Sequence, residues 1–394
     1  MILTPKSEIK KRIGDFQNSL LNSGFDGALI YQNVDLFYYT GTLQNGALYV
    51  PSSGEPLFMV IKNIDRARVE SPIEKIVRLS NPVKVGEILI QNGYKLSGKI
   101  GLEMDVIPAK LYAKLSSSLG CELDDISMVV RIQRSVKSEF EIGMMKKAAG
   151  ILKKVFASIP DMLEEGITET EISARIEYEL RRHGSQGVIR MRAFGMELYA
   201  AHLAFGQSSA TPVHFDGPVG VKGLYPAAPQ IGGDRKLKPG MPILADIVAG
   251  YGGYYIDCTR AFAYKHLDDQ YMKAHKDAIK LNKLIISRMK PGAIPSGIYD
   301  ETIEMARTMG YESTFMSSGE NQVKFVAHGI GLEVDEIPVI AKPFKTPLAE
   351  GNTMAVEPKI IDTVRGGVGV ENAYLITGKG VCCFTDFDMD LTIV

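Results

Sequence analysis

With 394 residues, 45% of them apolar, the chain is long enough for two domains that each bury a core. A formal net charge of −1 leaves no basic excess to neutralise a phosphate backbone, so nucleic acid is not expected as a partner. The four cysteines (Cys121, Cys258, Cys382, Cys383) show no CxxC spacing or disulfide framework, no apolar run reaches the ~18 residues of a membrane span, and MILTPKSEIKKRIGDF lacks the apolar core of a signal peptide; a cytoplasmic protein is expected.

Residues 8–24 predict a helix, because Ile9, Ile13, Phe16 and Leu20 recur at helical spacing and Gly24 can end it. Short apolar runs at 27–32, 36–41, 47–52 and 56–61 read as strands. The segments 99–105 and 122–133 bracket a helical stretch at 108–119. Residues 1–133 are therefore expected to form a smaller α/β domain, with no cluster of titratable groups. A boundary is expected within 134–141, and residues 134–394 form the second domain. Ser138 with Glu141, and Thr168 with Glu171, make capping-box patterns that open two amphipathic helices.

An internal repeat follows. Residues 162–184 match 288–310 without a gap, placing Gly166, Ile172 and Gly184 on Gly292, Ile298 and Gly310. Each copy leads to a Leu-x-x-Gly motif, five residues and an acid: Leu237, Gly240 and Asp246 in one half, Leu348, Gly351 and Glu357 in the other. Each acid has a second one downstream, Asp257 or Glu371. The domain reads as two similar helix-plus-hairpin halves with a site between them. The Gly- and Pro-rich stretch 215–233 reads as an irregular loop near that site.

In the first hairpin, pairing i with 503 − i sets Asp246 opposite Asp257; in the second, pairing i with 728 − i sets Glu357 opposite Glu371. Directly opposed side chains share a face, with Cβ atoms about 4.5–5.5 Å apart. Like charges that close need a compensating cation when buried. His328 offers a nitrogen donor, and its neighbours Gly329 and Gly331 let the backbone pass close to a crowded centre. Four carboxylates and an imidazole suit manganese, cobalt, iron or zinc. Bridging carboxylates can hold two such ions roughly 3.5–4 Å apart, where a shared water becomes a nucleophile and a carbonyl is polarised: metal-assisted hydrolysis.

These motifs, with GYYIDCTR around Asp257, HGIGLEV at His328, AVEP at Glu357 and GVEN at Glu371, resemble the pita-bread metallopeptidases: proline-specific aminopeptidases, prolidase, methionine aminopeptidase and their relative creatinase. The resemblance covers essentially the whole chain. It implies an α+β pita-bread fold with a pseudo-twofold repeat, a curved antiparallel sheet covered by helices, behind a creatinase-like N-terminal domain. It further implies two divalent ions, with manganese favoured. Asp246 would chelate one ion, His328 and Glu357 the other, and Asp257 and Glu371 would bridge. Glu357 would also shuttle a proton, and His214 matches in position a histidine that contacts substrate. The resemblance implies a homodimer acting on short peptides, as an Xaa-Pro aminopeptidase or dipeptidase does.

The chain departs from that pattern at three places. The family usually carries a histidine seven residues after the metal histidine, where this chain has Asp335; another four before it, where it has Lys324; and an arginine two before the last glutamate, where it has Gly369. An aspartate at 335 repels an oxyanion unless protonated or turned away, and reads either as a binder of a cationic substrate group or as a loop acid. These departures keep a second reading open, a lyase or carbon–nitrogen hydrolase acting on a small molecule, and a third, a non-catalytic metal-binding protein. His202 reads as pocket-lining or as a packed, hydrogen-bonded residue. Arg260 is expected to pair with the carboxylates and orient them. Cys258 points away from Asp257 by strand alternation and reads as core.

Overall fold

The N-terminal unit, Met1–Arg134 of a computed structural model that describes residues 1–394, is built on a six-stranded mixed sheet. Its strands are β1 (Gly27–Ile30), β2 (Gly46–Pro51), β3 (Leu57–Val60), β4 (Ile76–Arg78), β5 (Lys99–Leu102) and β6 (Glu122–Asp125), in the order β4-β3-β2-β1-β5-β6. The β1, β2 and β3 strands pair antiparallel, whereas β4 and β6 run parallel to their neighbours after helical crossovers at Ile64–Glu70 and Ala109–Leu119. Leu29, Tyr49, Met59, Ile100 and Leu115 are among the residues that close the core.

Two segments of this unit differ from the sequence expectation. The run 36–41 belongs to a helix, Asn33–Thr40, not a strand. The Gln32 side chain caps it by accepting from the amides of Val34 and Asp35, Gly41 ends it at φ 76°, and Tyr39 stacks on Phe16 with ring centroids 4.8 Å apart. Aromatic β-propensity gave way to capping and packing. The bracketing segment 122–133 is not one element: a strand covers Glu122–Asp125 and a helix Ser127–Ser135.

In the second unit, Ser135–Val394, both capping boxes form and open the helices Glu139–Ser158 and Glu169–Arg182. The strands are β7 (Ala201–Phe205), β8 (Pro242–Tyr251), β9 (Tyr254–Ala263), β10 (Phe325–Ile330), β11 (Val334–Ala341), β12 (Thr353–Val356), β13 (Lys359–Asp362), β14 (Gly366–Gly369), β15 (Asn372–Thr377), β16 (Gly380–Cys383) and β17 (Thr392–Ile393). They form a sheet β17-β9-β8-β7, a sheet β11-β10-β12-β15-β16 and the ribbon β13-β14. Backbone bonds from Glu371 to Thr259 (3.1 Å) and from Tyr255 to Gly331 (2.7 Å) join the two larger sheets. No helix is long and apolar enough to cross a membrane.

The repeat is visible bond by bond. The helices Glu169–Arg182 and Pro295–Thr308 occupy equivalent residues of the two copies. Gly166 donates to the Leu237 carbonyl at 2.9 Å, and its counterpart Gly292 donates to the Leu348 carbonyl at 2.8 Å. Both glycines sit at positive φ, 90° and 85°, where a side chain would be strained. Each copy thus fastens the loop before its helix to the leucine that precedes its first acid.

Candidate metal centre

Asp246 lies on β8 and Asp257 on β9, but not opposite each other. The observed register pairs Asp246 with Thr259 and Val248 with Asp257. Gly252 and Gly253, at φ 60° and 97°, form a two-residue turn, and positive φ at both positions is what such hairpin turns require. That turn slides the register by two residues from the expected pairing. A slip of two preserves the face, so the two carboxylates are diagonal neighbours on one side of the ribbon.

The second hairpin follows the expected register. Val356 pairs with Asn372 and, beyond the interruption, Lys359 with Gly369, so Glu357 and Glu371 fall between pairs in step. His328 stands on β10 beside irregular pairing with β11. Crowding explains its glycine neighbour: a Cβ at Gly329 would come within 2.6 Å of the Glu336 and Ile337 carbonyls.

One atom each from Asp257, His328 and Glu371 lie within 4.8 Å of one another, all three residues buried. The Nε2 of His328 faces Glu357 Oε1 at 3.6 Å and Glu371 Oε1 at 3.8 Å. On its other side, Nδ1 lies 3.0 Å from the Gly329 carbonyl and 3.3 Å from Asp335 Oδ1. The Gly329 carbonyl takes the Nδ1 hydrogen bond and the Asp335 carboxylate stands beside it, an arrangement that fixes the ring and aims Nε2 at the centre. Asp335 has a left-handed backbone, φ 68°. Glu371 Oε2 accepts from Thr259 Oγ1 at 2.8 Å, while Oε1 is buried with no hydrogen-bond partner. An orphaned carboxylate oxygen beside an imidazole nitrogen and a second carboxylate fits a divalent cation.

The residue that sequence reasoning missed is Lys359. Its fully buried ammonium donates to Glu357 Oε2 at 2.7 Å, Glu371 Oε2 at 3.0 Å and Asp246 Oδ2 at 3.3 Å. The signal was available: Lys359 follows Glu357 by two, and strand alternation puts both on one face. Burial pushes Glu357 up to about 7 against the pull of Lys359, and pushes Asp257 well above the carboxylate range with the help of Glu371 and Asp246. Glu371 goes the other way: burial opposes ionisation, but Lys359 and His328 outweigh it and hold the group at about 2. Burial likewise opposes the charge on Lys359, and Asp246, Glu357 and Glu371 overcome it.

The other expected residues are distributed unevenly. His202, directly opposite Asp246 on β7, lines the cavity, and its Nε2 lies 3.2 Å from the Gly220 carbonyl. Burial lowers its pKa, so the ring is a neutral donor to that carbonyl. His214 is not brought to the centre. It is exposed and absent from the cavity lining, whereas its neighbours Phe215 and Asp216 line it, because the loop turns at this point. Arg260 touches none of the four carboxylates. Its guanidinium bonds the backbone carbonyls of Glu371 (2.8 Å), Thr259 (2.9 Å), Thr385 (3.2 Å), Phe387 (3.0 Å) and Asp388 (2.7 Å), and lies 4.4 Å over the Phe387 ring. The expected pairing with carboxylates gives way to a brace on the Glu371 main chain. Cys258 is buried away from the centre, its Sγ 3.2 Å from the Glu371 carbonyl.

The loop residues Phe215, Asp216 and Gly217, with Phe325, His328 and Asp335, line both the inner cavity and a wider cleft outside it. The cleft adds Tyr299, Val339 and Phe344 as apolar wall and Lys324 as a cation. The arrangement provides a buried, carboxylate-rich centre at the end of an apolar approach that suits a small peptide-like molecule.

Comparison with known proteins agrees with this geometry. Residues 143–378 match the model of metallopeptidase family M24, and residues 12–136 that of the creatinase/prolidase N-terminal domain. An Xaa-Pro dipeptidase of Pyrococcus furiosus is 23% identical, the match covering 97% of this chain and 100% of the relative. A putative dipeptidase of Bacillus subtilis, YkvY, is 26% identical over 97% and 99% of the two chains. Among solved structures, an Xaa-Pro dipeptidase from Bacillus anthracis superposes with a TM-score of 0.84 at 22% identity, covering 98% of this chain and 100% of the other. A dipeptidase from Pyrococcus horikoshii gives 0.81 at 25% identity, covering 97% and 100%.

Proposed function

The chain belongs to metallopeptidase family M24, and from that premise we propose that it is a metal-dependent hydrolase of short peptides with an Xaa-Pro bond, an aminopeptidase or dipeptidase. The observation that carries this reading is the convergence of Asp257, His328 and the orphaned Glu371 Oε1 at the inner end of the apolar cleft. The relatives cited above carry the names Xaa-Pro dipeptidase, dipeptidase or putative dipeptidase, which favours peptide hydrolysis over the lyase and carbon–nitrogen hydrolase alternatives.

A divalent ion held there would supply Lewis-acid polarisation of the scissile carbonyl and activation of water. The side chains do the rest. Asp257, His328 and Glu371 would hold the cation, with Asp246 and Glu357 beside them. Glu357 is the residue we assign to proton transfer: Lys359 fixes its Oε2, and its Oε1 is turned to His328 and the cavity. His202 and Phe215 wall the place of the reacting peptide, and Lys324 stands where a substrate carboxylate would enter. Oxygen donors with one imidazole suit manganese, which we propose as the ion. The free cysteines accord with a cytoplasmic location, and the family resemblance with a homodimer; light scattering after gel filtration tests the latter.

The decisive experiment is a dipeptide panel with Xaa-Pro and non-proline members, with manganese and with chelator. Cleavage of Xaa-Pro substrates that a chelator abolishes and manganese restores is expected. Failure to cleave any dipeptide at saturating manganese overturns the proposal.

A further inference from the structure

Two of the three carboxylates around Lys359 are divided between two positive positions. Glu371 gives Oε2 to the ammonium and leaves Oε1 free towards His328, and Glu357 gives Oε2 to the ammonium and turns Oε1 to His328. Asp246 gives Oδ2 to the ammonium as well. On one side of this group lie the converging donors of Asp257, His328 and Glu371; on the other lies an ammonium within hydrogen-bond distance of three carboxylates. A transition ion binds carboxylate oxygens at roughly 2.0–2.2 Å. An ion taking the oxygens of Asp246 and Glu357 that Lys359 already holds would have to displace the ammonium, or sit against it without water to screen the repulsion.

The lysine is committed to this place by its strand. Lys359 pairs with Gly369, and a Cβ added there would lie 2.8 Å from Lys359 Cγ and 2.7 Å from its Cα. The resembling enzymes usually carry an arginine at the position of Gly369. Here that position has no side chain, and the cation comes from the strand opposite.

We propose that the centre is built for one divalent ion, held by Asp257, His328 and Glu371, and that the ammonium of Lys359 is its second cation. This rests on the metal-dependent reading above and adds to it the number of ions and the part played by Lys359. Lys359 is a positioning residue: it holds Asp246 and Glu357 in place of a second metal.

The test is metal content by mass spectrometry after equilibrium dialysis against manganese, with electron paramagnetic resonance of the loaded protein. The wild type is expected to bind one ion per chain tightly and to show the signal of isolated Mn(II). Lys359→Gly is expected to raise the stoichiometry to two, with the exchange-coupled signal of a pair, and Lys359→Arg to stay at one. Two tightly bound, coupled ions in the wild type overturn the proposal while leaving metal-dependent hydrolysis standing. A wild type that binds none overturns both. The wild-type measurement decides even if a variant fails to fold; a folded Lys359→Gly that still binds one ion also overturns it.

Discussion

Lys359 and Gly369 face each other across β13 and β14, and the room for one side chain is taken by the other. A methyl group on Gly369 would meet the Pro358 carbonyl at 2.7 Å as well as the lysine. Gly369→Ala is therefore expected to cost about 1–3 kcal/mol, the range of overpacked cores. In a Lys359→Gly background the same change should cost less, though not nothing, since the residue 359 Cα and the Pro358 carbonyl remain. A double-mutant cycle by urea denaturation gives the coupling; strict additivity of the two losses would contradict the contact.

The Asp335 carboxylate stands beside Nδ1 of His328, so its effect is expected on metal affinity more than on the fold. Asparagine tolerates the left-handed backbone at this position but lacks the charge. Asp335→Asn should weaken manganese binding about 10- to 100-fold, as loss of such a partner does elsewhere. Competition with a chelating dye measures it, and an unchanged affinity would remove Asp335 from the centre.

Arg260 braces the Glu371 main chain and the segment after β16 with five carbonyl bonds and a stacked ring. Lysine keeps the charge but not the planar fork that reaches those acceptors together. Arg260→Lys should lower stability by about 2–4 kcal/mol, with buried carbonyls left unpaired. Chemical denaturation tests this, and a loss below about 0.5 kcal/mol, the level of an ordinary surface change, would show that the brace is dispensable.

Asp277, on the helix Asp269–Arg288, offers a pH signature away from the metal centre. Burial opposes its charge, but Lys273, Lys280 and the Tyr311 hydroxyl outweigh burial and bring the pKa down to about 2. A carboxylate lowered on folding contributes stability that is fully present above its unfolded pKa, near 4, and fades as pH falls towards 2. Wild type should exceed Asp277→Asn by about 1–2 kcal/mol at pH 7, and the gap should close between pH 4 and pH 2. Denaturation of both proteins across that range checks the sign; a gap independent of pH would show that the charge plays no part.

Much of this architecture is legible in the residues. The capping boxes at Ser138 and Thr168, the paired glycines of the repeat and the register of the second hairpin follow from local chemistry that the fold keeps. The helix Asn33–Thr40 was illegible because a Gln32 cap and the stacking of Tyr39 on Phe16 decide it, and neither shows in aromatic propensity. His214 and Arg260 were misplaced for a common reason: where a loop turns, and which of several acceptors a long side chain reaches, depend on tertiary contacts without sequence period. Lys359 was legible by strand alternation, but a search for ligands passes over a cation.

The Gly252–Gly253 turn gives the first hairpin something like a reading frame. Whether a strand residue faces the cavity depends on odd or even position, not on its exact partner. The turn can therefore change length in steps of two while Asp257 and Thr259 keep pointing inward, at the cost only of sliding Asp257 along the ribbon relative to Asp246. A single inserted residue that β9 absorbs by re-pairing inverts the strand, burying Asp257 in the core and presenting Cys258 to the centre. Frame-preserving change in this loop moves the donors; frame-breaking change replaces a carboxylate with a thiol.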